Sequence, residues 1–156
     1  MKRSAAIILV LLSWTVDGQK TKFWIYPDLG YTYQKIHNWS FGLHLGLAKK
    51  DSSGYLQNTW AFLMRAENVW YQKTCYVSPS FGFYGYRYLF GAHHGLCGEI
   101  TVSRYHALQK KDWLLTPEIG FAWGGLIHLM IGYSIQLDQP ELDFYSGLRL
   151  SCRLTI

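Results

Sequence analysis

Apolar and polar residues alternate with a period of two through the last nine residues of the chain, LRLSCRLTI. One side carries Leu148, Leu150, Cys152, Leu154 and Ile156. The other side carries Arg149, Ser151, Arg153 and Thr155. Successive side chains of a β-strand point to opposite faces, so this segment is predicted to be a strand with one apolar and one polar face. The fold depends on which of the two faces is inside.

The same alternation recurs in seven earlier segments, separated mostly by short turns. The eight predicted strands cover residues 23–35, 39–50, 58–68, 75–90, 96–108, 112–123, 126–137 and 148–156. Gly124-Gly125 is a tight hairpin signal, whereas Pro79 is unfavourable in a fully paired central strand. No segment has the helical period. Eight is the smallest even strand number common in bacterial transmembrane barrels, whose strands need ~9 to 11 residues to cross the hydrocarbon.

The first 18 residues have the layout of a secretory signal peptide. Lys2 and Arg3 precede an apolar run over 5–12, and small residues follow near Gly18. The run is far shorter than the ~20 residues of a membrane-spanning helix. We therefore expect cleavage after Gly18, with residues 19–156 forming one barrel domain. The three widely spaced cysteines do not make a disulfide framework and are expected to be free.

The composition favours a membrane barrel over a soluble domain. Aromatic residues make up 17% of the chain, glycine occurs 15 times, and only 16% is charged, against roughly 25% in ordinary soluble domains. Tyrosine, tryptophan and glycine are abundant in transmembrane barrels. The tryptophans near predicted strand ends, among them Trp24, are interpreted as interfacial belts. The basic residues form no long run, so nucleic acid is not predicted as a partner.

The contents of the two faces indicate which one is inside. The apolar face carries bulky Leu, Ile, Phe and Trp side chains, which would overfill the narrow interior of an eight-stranded barrel. The polar face carries glycine, serine and charged groups that can pair with one another. We predict that the bulky residues face lipid and that the interior holds a charge network of Arg65, Glu99, Glu118, Arg149 and Arg153. His44 and His128 are predicted as further polar groups of this lumen. The network is expected to plug the lumen; the alternative is a narrow polar channel.

With its signal peptide, eight amphipathic strands and C-terminal GLRLSCRLTI, the chain resembles the small eight-stranded outer-membrane β-barrel proteins of Gram-negative bacteria. The resemblance covers essentially the whole chain after residue 18. It implies an all-β, antiparallel, up-and-down transmembrane barrel, with outer-membrane lipid and the barrel assembly machinery as partners and a further membrane protein as a candidate. In this family the assembly machinery reads the last strand, here Leu148, Leu150, Leu154 and Ile156. This chain ends in isoleucine instead of the commoner aromatic residue.

The resemblance also implies a second class of function, because some such barrels are lipid A deacylases or acyltransferases with a serine and a histidine at the lipid-facing rim. The candidates here are weak. Ser40 and His44 share a face without a nearby acid, and Ser103 and His106 would face opposite sides of a strand. His93–His94 in a glycine-flanked turn has no third metal ligand in sequence. We therefore expect no catalytic site, metal or cofactor, and a structural, adhesive or accessory role. A secreted soluble barrel that binds a small apolar ligand is a third hypothesis.

Overall fold

The chain is described by a computed structural model over residues 21–50, 56–71, 74–90, 94–107, 110–138 and 147–156. The predicted signal peptide lies outside these residues. Eight strands are formed: β1 (Thr21–Tyr33), β2 (His37–Lys50), β3 (Leu56–Tyr71), β4 (Thr74–Phe90), β5 (His94–Ala107), β6 (Lys110–Trp123), β7 (Ile127–Gln136) and β8 (Gly147–Thr155). Among the residues described, no helix is long and apolar enough to cross a membrane.

The eight strands close into one barrel in which every strand pairs with its neighbours along the chain and β1 pairs with β8. All pairings are antiparallel, so the predicted eight-stranded up-and-down barrel is confirmed. Paired residues followed once around the barrel from Thr21 lead back to β1 at Tyr31, ten residues further along. A stagger of this size requires strands tilted by roughly 40–45° from the barrel axis.

The strands extend beyond several of the predicted limits. The third was predicted over 58–68 but begins at Leu56 and ends at Tyr71. Its last residues, Val69, Trp70 and Tyr71, are all apolar, so the alternation of apolar and polar residues that marks a strand is absent there. The backbone pairing with β4 nevertheless continues to Tyr71. Pro79 lies within β4, opposite Ala66 of β3, whereas the register between β4 and β5 begins only at Ser80. Proline therefore occupies a position that is paired on one side only, where its missing N–H does not interrupt the strand.

The two ends of the barrel are named here after their connections. The Gln34 end carries the β1–β2 connection, residues 34–36, and the Gly124 end carries the β6–β7 turn, residues 124–126. Gly124 and Gly125 have φ angles of 62° and 70°, which favour glycine in a tight hairpin. The amide of Leu126 donates to the carbonyl oxygen of Trp123 at 2.9 Å. The hairpin predicted from Gly124-Gly125 is present.

The barrel interior has three layers, which the inward face of β3 shows in order. Ala61 and Leu63 belong to an apolar cluster nearer the Gly124 end. Arg65 and Glu67 come next and are buried among other charged groups. Val69 belongs to a second apolar cluster nearer the Gln34 end, where Tyr105 and Leu114 also lie. The charged middle of the barrel therefore lies between two apolar clusters, and the second cluster also adjoins the buried Asp112 and Asn38.

Candidate functional site: the charged interior

Seven buried side chains in the middle layer form one continuous chain of alternating charge. In order they are Asp28, Arg65, Glu99, Arg153, Glu118, Arg149 and Glu67. Each of the three guanidinium groups contacts two carboxylates. The three arginines thereby compensate three of the four carboxylate charges, which leaves the chain one negative charge when all four carboxylates are ionised.

Arg65 lies near one end of this chain. Its Nη2 atom is 2.9 Å from Oδ2 of Asp28, and its Nη1 atom is 3.1 Å from Oε1 of Glu99. Arg153 then joins Glu99 to Glu118 through one terminal nitrogen each. Planar guanidinium groups suit this arrangement because their nitrogens diverge in a fixed fork.

Arg149 lies near the other end. Its Nε atom is 3.4 Å from Oε2 of Glu118, and its Nη2 atom is 3.1 Å from Oε1 of Glu67. Glu67 also accepts hydrogen bonds from Asn38 Nδ2, at 2.8 Å, and from the hydroxyl group of Tyr105. The network therefore ends on neutral donors, which lowers the cost of burying the last carboxylate.

The network crosslinks strands that are not neighbours in the sheet. Its seven members come from β1, β3, β5, β6 and β8. Every second residue of a strand points inward, so the charged side chains of these five strands all lie in the barrel interior. Ion pairs across the interior therefore join opposite walls that the backbone ladder does not join directly.

Gly42 makes room for this end of the network. It lies between Asp28 and Arg65 in the β1–β2–β3 register. A Cβ atom at this position would collide with Oδ1 of Asp28 and would lie 2.7 Å from the carbonyl oxygen of Met64. Glycine is therefore required where the carboxylate crosses above the backbone of β2.

The five residues predicted for the lumen network, Arg65, Glu99, Glu118, Arg149 and Arg153, all lie in this chain and contact one another. Two members, Asp28 and Glu67, were missed by sequence reasoning. The alternation of faces along a strand could have indicated both. Asp28 lies on the same face as Gly30 and Thr32, and Glu67 lies on the same face as Arg65, which is two residues before it. The sequence does not show which carboxylate each arginine contacts, because that depends on the barrel register.

His44 and His128, predicted as lumen groups, are both buried in the interior. Nε2 of His44 is 3.6 Å from Oδ2 of Asp28. The ring of Tyr84 lies between the two imidazoles, with centroid separations of 4.8 Å to His44 and 5.3 Å to His128. His128 Nε2 is also within 3.1 Å of the carbonyl oxygen of Gly125. These rings form the boundary between the charged layer and the apolar layer at the Gly124 end.

The weak catalytic and metal candidates do not form a compact site among the described residues. Ser40 and His44 both face the interior of the barrel, four residues apart in β2. That spacing separates their Cα atoms by about 13 Å in an extended strand, beyond hydrogen-bond reach. Ser103 is also buried, and the ring of His94 packs edge-on to Trp123. His93 and the side chain of His106 lie outside the described residues. Within the described ranges, no three His, Cys, Asp or Glu side chains are grouped to hold a metal ion.

The outer surface is covered by apolar side chains, whereas the middle of the interior is charged. The four C-terminal residues assigned to the assembly signal are all exposed, with exposed fractions of 59% for Leu148, 48% for Leu150, 41% for Leu154 and 65% for Ile156. The alternating Arg149 and Arg153 are only 1% and 2% exposed. The bulky apolar side chains of the other strands are likewise exposed, among them Phe23, Phe41, Phe83, Ile119, Phe121 and Ile131.

Aromatic side chains lie on the outer surface toward both ends of the barrel. Trp39, Trp70 and Trp113 are exposed toward the Gln34 end, and Trp123 is exposed toward the Gly124 end. Trp24 differs from the prediction: by alternation it shares the inward face of β1 with Asp28, and its ring stacks on Tyr26 at 5.7 Å. The polarity pattern at the start of β1 is weak, so sequence did not distinguish the two faces there.

The three cysteines are free: Cys75 and Cys152 are exposed, and Cys97 is buried. Comparisons of this chain with protein-family models, curated proteins and solved structures find no match. The distribution of charged and apolar side chains in the barrel is therefore the basis for inferring its function.

Proposed function

We propose that this protein is an outer-membrane β-barrel of a Gram-negative bacterium, exported by a cleaved signal peptide, with a plugged lumen and a structural, adhesive or accessory role. The observation that carries the proposal is the inverted distribution of polarity. The described interior holds a chain of buried ion pairs, whereas leucine, isoleucine and phenylalanine cover the outside. In water this exposed apolar surface would favour aggregation, whereas in lipid it is the stable arrangement.

The architecture supports the same conclusion. A closed barrel pairs its backbone groups between strands, which hydrocarbon requires. The strands of 9 to 17 residues match or exceed the ~9 to 11 residues needed to cross the bilayer at a steep tilt. The exposed tryptophans toward both ends fit the two interfacial belts of such proteins.

The layered interior favours a plug over a channel. The ion-pair chain fills the middle of the described interior with fixed side chains, and an apolar cluster lies nearer the Gly124 end, so an ion crossing the barrel would have to displace these groups. An eight-stranded barrel has an interior just wide enough for its own side chains. We therefore expect no steady conductance through a single barrel.

Two other functions have less support. A lipid A-modifying enzyme would need its nucleophile and base at the lipid-facing rim, whereas Ser40 and His44 face the interior. A soluble carrier of an apolar ligand would need an apolar cavity, whereas the middle of this barrel is occupied by Arg65, Glu99 and Arg153. Neither function is our proposal.

The deciding experiment is to refold residues 19–156 into detergent micelles and run the product with and without boiling on a gel. A closed membrane barrel resists the detergent until heated, so a heat-dependent mobility shift with β-type circular dichroism is expected. Reconstitution into vesicles and an alkaline wash then test membrane insertion. A chain that is soluble in plain buffer and shows no shift would refute the proposal.

A further inference from the structure

A groove crosses the outer surface of the barrel from β3 to β7 and has a volume of about 1050 Å³. Its walls are mainly apolar and include Phe83, Leu96, Ile100, Ile119, Ile131 and Tyr133. The volume is at the upper end of the range typical of small-molecule sites, about 300–1000 Å³. A second depression of about 590 Å³ adjoins it and shares Leu96, Ile119 and Ile131. The larger groove has enough volume to hold a lipid tail.

Two facing glycines lie at the centre of the groove. Gly85 and Gly98 are directly paired across β4 and β5, and both occupy outward positions because Tyr84, Tyr86 and Glu99 beside them are buried. The indole ring of Trp60 covers Gly85, where an added Cβ atom would be 2.9 Å from a ring carbon, whereas a Cβ atom at Gly98 would meet only the carbonyl oxygen of Glu118, at 3.4 Å. The open depression therefore lies over Gly98, and Trp60 forms one of its walls.

One end of the groove is polar and cationic. Arg87 is exposed, lies two residues beyond Gly85 toward the Gly124 end, and is paired with Asn58 of β3. Both residues line the groove together with Trp60. An arginine fork beside an amide favours a phosphate oxygen, and tryptophan is the side chain typical of the membrane interface. The groove therefore combines an apolar body with a cationic mouth.

We propose that this groove binds one anionic glycerophospholipid, with an acyl chain over Gly98 beside the Trp60 ring and the phosphate at Arg87 and Asn58. The inference rests on the proposed membrane location, since only there does a lipid meet this surface. Both lipid classes carry a phosphate, but a zwitterionic headgroup would also bring its ammonium group near the Arg87 guanidinium, so the charge at Arg87 favours an anionic lipid. The depression beside Trp60 fits a flexible acyl chain, and the cationic end at Arg87 fits the headgroup of the same lipid.

The test is native mass spectrometry of the refolded barrel in detergent containing equal amounts of phosphatidylglycerol and phosphatidylcholine with identical acyl chains. We expect one retained phosphatidylglycerol per barrel. Arg87→Gln should lower its retention about tenfold, as expected for loss of one charge-assisted contact. Gly98→Leu should displace the acyl chain, and it should fold because a Cβ atom at Gly98 meets only the carbonyl oxygen of Glu118, at 3.4 Å.

Two variants serve as matched controls. Arg104→Gln removes the other exposed arginine of the described barrel, which lies toward the Gln34 end with its guanidinium 5.3 Å from the Trp113 ring. Ala66→Leu adds bulk on the outward face of β3 away from the groove. Neither should change lipid retention, and the heat-dependent gel shift verifies that all four variants fold.

The possible results separate this inference from the proposed function. Equal retention of the two lipids, or equal loss with Arg104→Gln, would overturn the lipid site while the gel shift still supported a membrane barrel. A lipid-free dimer that Gly98→Leu converts to monomer would overturn it in favour of a second copy in the groove. A chain soluble without detergent would refute both the membrane location and the lipid site.

Discussion

Replacing Arg65 by methionine should strongly destabilise the barrel, and replacing Asp28 by asparagine in the same chain should restore much of the loss. Arg65 holds Asp28 at 2.9 Å and Glu99 at 3.1 Å, and all three side chains are buried. Methionine fills much of the arginine stem volume but carries no charge. Among the described residues, Asp28 then keeps the His44 imidazole at 3.6 Å as its nearest cationic partner when that ring is protonated, whereas Glu99 keeps Arg153.

The expected magnitude follows from the two ion pairs that Arg65 makes. Two hydrogen bonds between charged groups contribute about 1.5–3 kcal/mol each. Removing one partner of a buried ion pair typically costs about 3–5 kcal/mol, because the remaining charge is left without compensation. We therefore expect Arg65→Met to lower the free energy of unfolding by about 3–5 kcal/mol. Asp28→Asn should recover about 2 kcal/mol of this loss, since it removes the charge that has lost its main partner.

The assay is equilibrium unfolding in urea with the barrel reconstituted in lipid vesicles, followed by tryptophan fluorescence. Arg104→Met is the control, because Arg104 lies on the outer surface against Trp113 and its loss should cost only about 0.5–1 kcal/mol. An Arg65→Met loss no larger than that of Arg104→Met would refute the reasoning. So would a double variant with Asp28→Asn that is less stable than Arg65→Met alone.

Three further predictions concern the glycines, the cysteines and the interior. Gly42→Ala should cost about 1–3 kcal/mol by the same urea assay, because its methyl group would collide with Asp28; Gly98→Ala, which has room, should stay within about 0.5 kcal/mol of the parent. In vesicles, a water-soluble maleimide should label Cys75 near the Gln34 end but not Cys152 in mid-strand or the buried Cys97; labelling of Cys152 at the rate of Cys75 would argue against lipid around β8. In planar bilayers, the single barrel should show no stepwise conductance, and steady open levels would contradict the plugged interior.

Much of the architecture was readable because a barrel strand has a simple period. Alternation over 148–156 was enough to assign Arg149 and Arg153 to one face and Leu148 and Leu150 to the other, as the structure has them. The alternation was less informative where both faces of a strand have similar polarity. At the start of β1 it led to an outward assignment for Trp24, and at the apolar end of β3 it led to a strand predicted too short.

The membership of the charge network was only partly readable. Arg65, Glu99 and Glu118 were chosen because they lie on the small or polar faces of their strands and carry charges that can pair with one another. Glu67, which lies on the same face as Arg65, and Asp28 were overlooked. The outer groove had no signal in sequence. Gly85 and Gly98 are 13 positions apart, and only the β4–β5 register places them opposite each other.

The sequence by itself determined the strand number, the two faces of most strands and the type of side chain on each face. These properties follow from a period of two, which any extended strand obeys irrespective of its neighbours. Only the tertiary structure decided which groups meet: Asp28 with Arg65, Glu67 with Arg149, and Gly85 with Gly98. Contacts across a barrel depend on the stagger of ten residues around its circumference. That stagger is a collective property of eight paired strands, so no single segment of the chain encodes it.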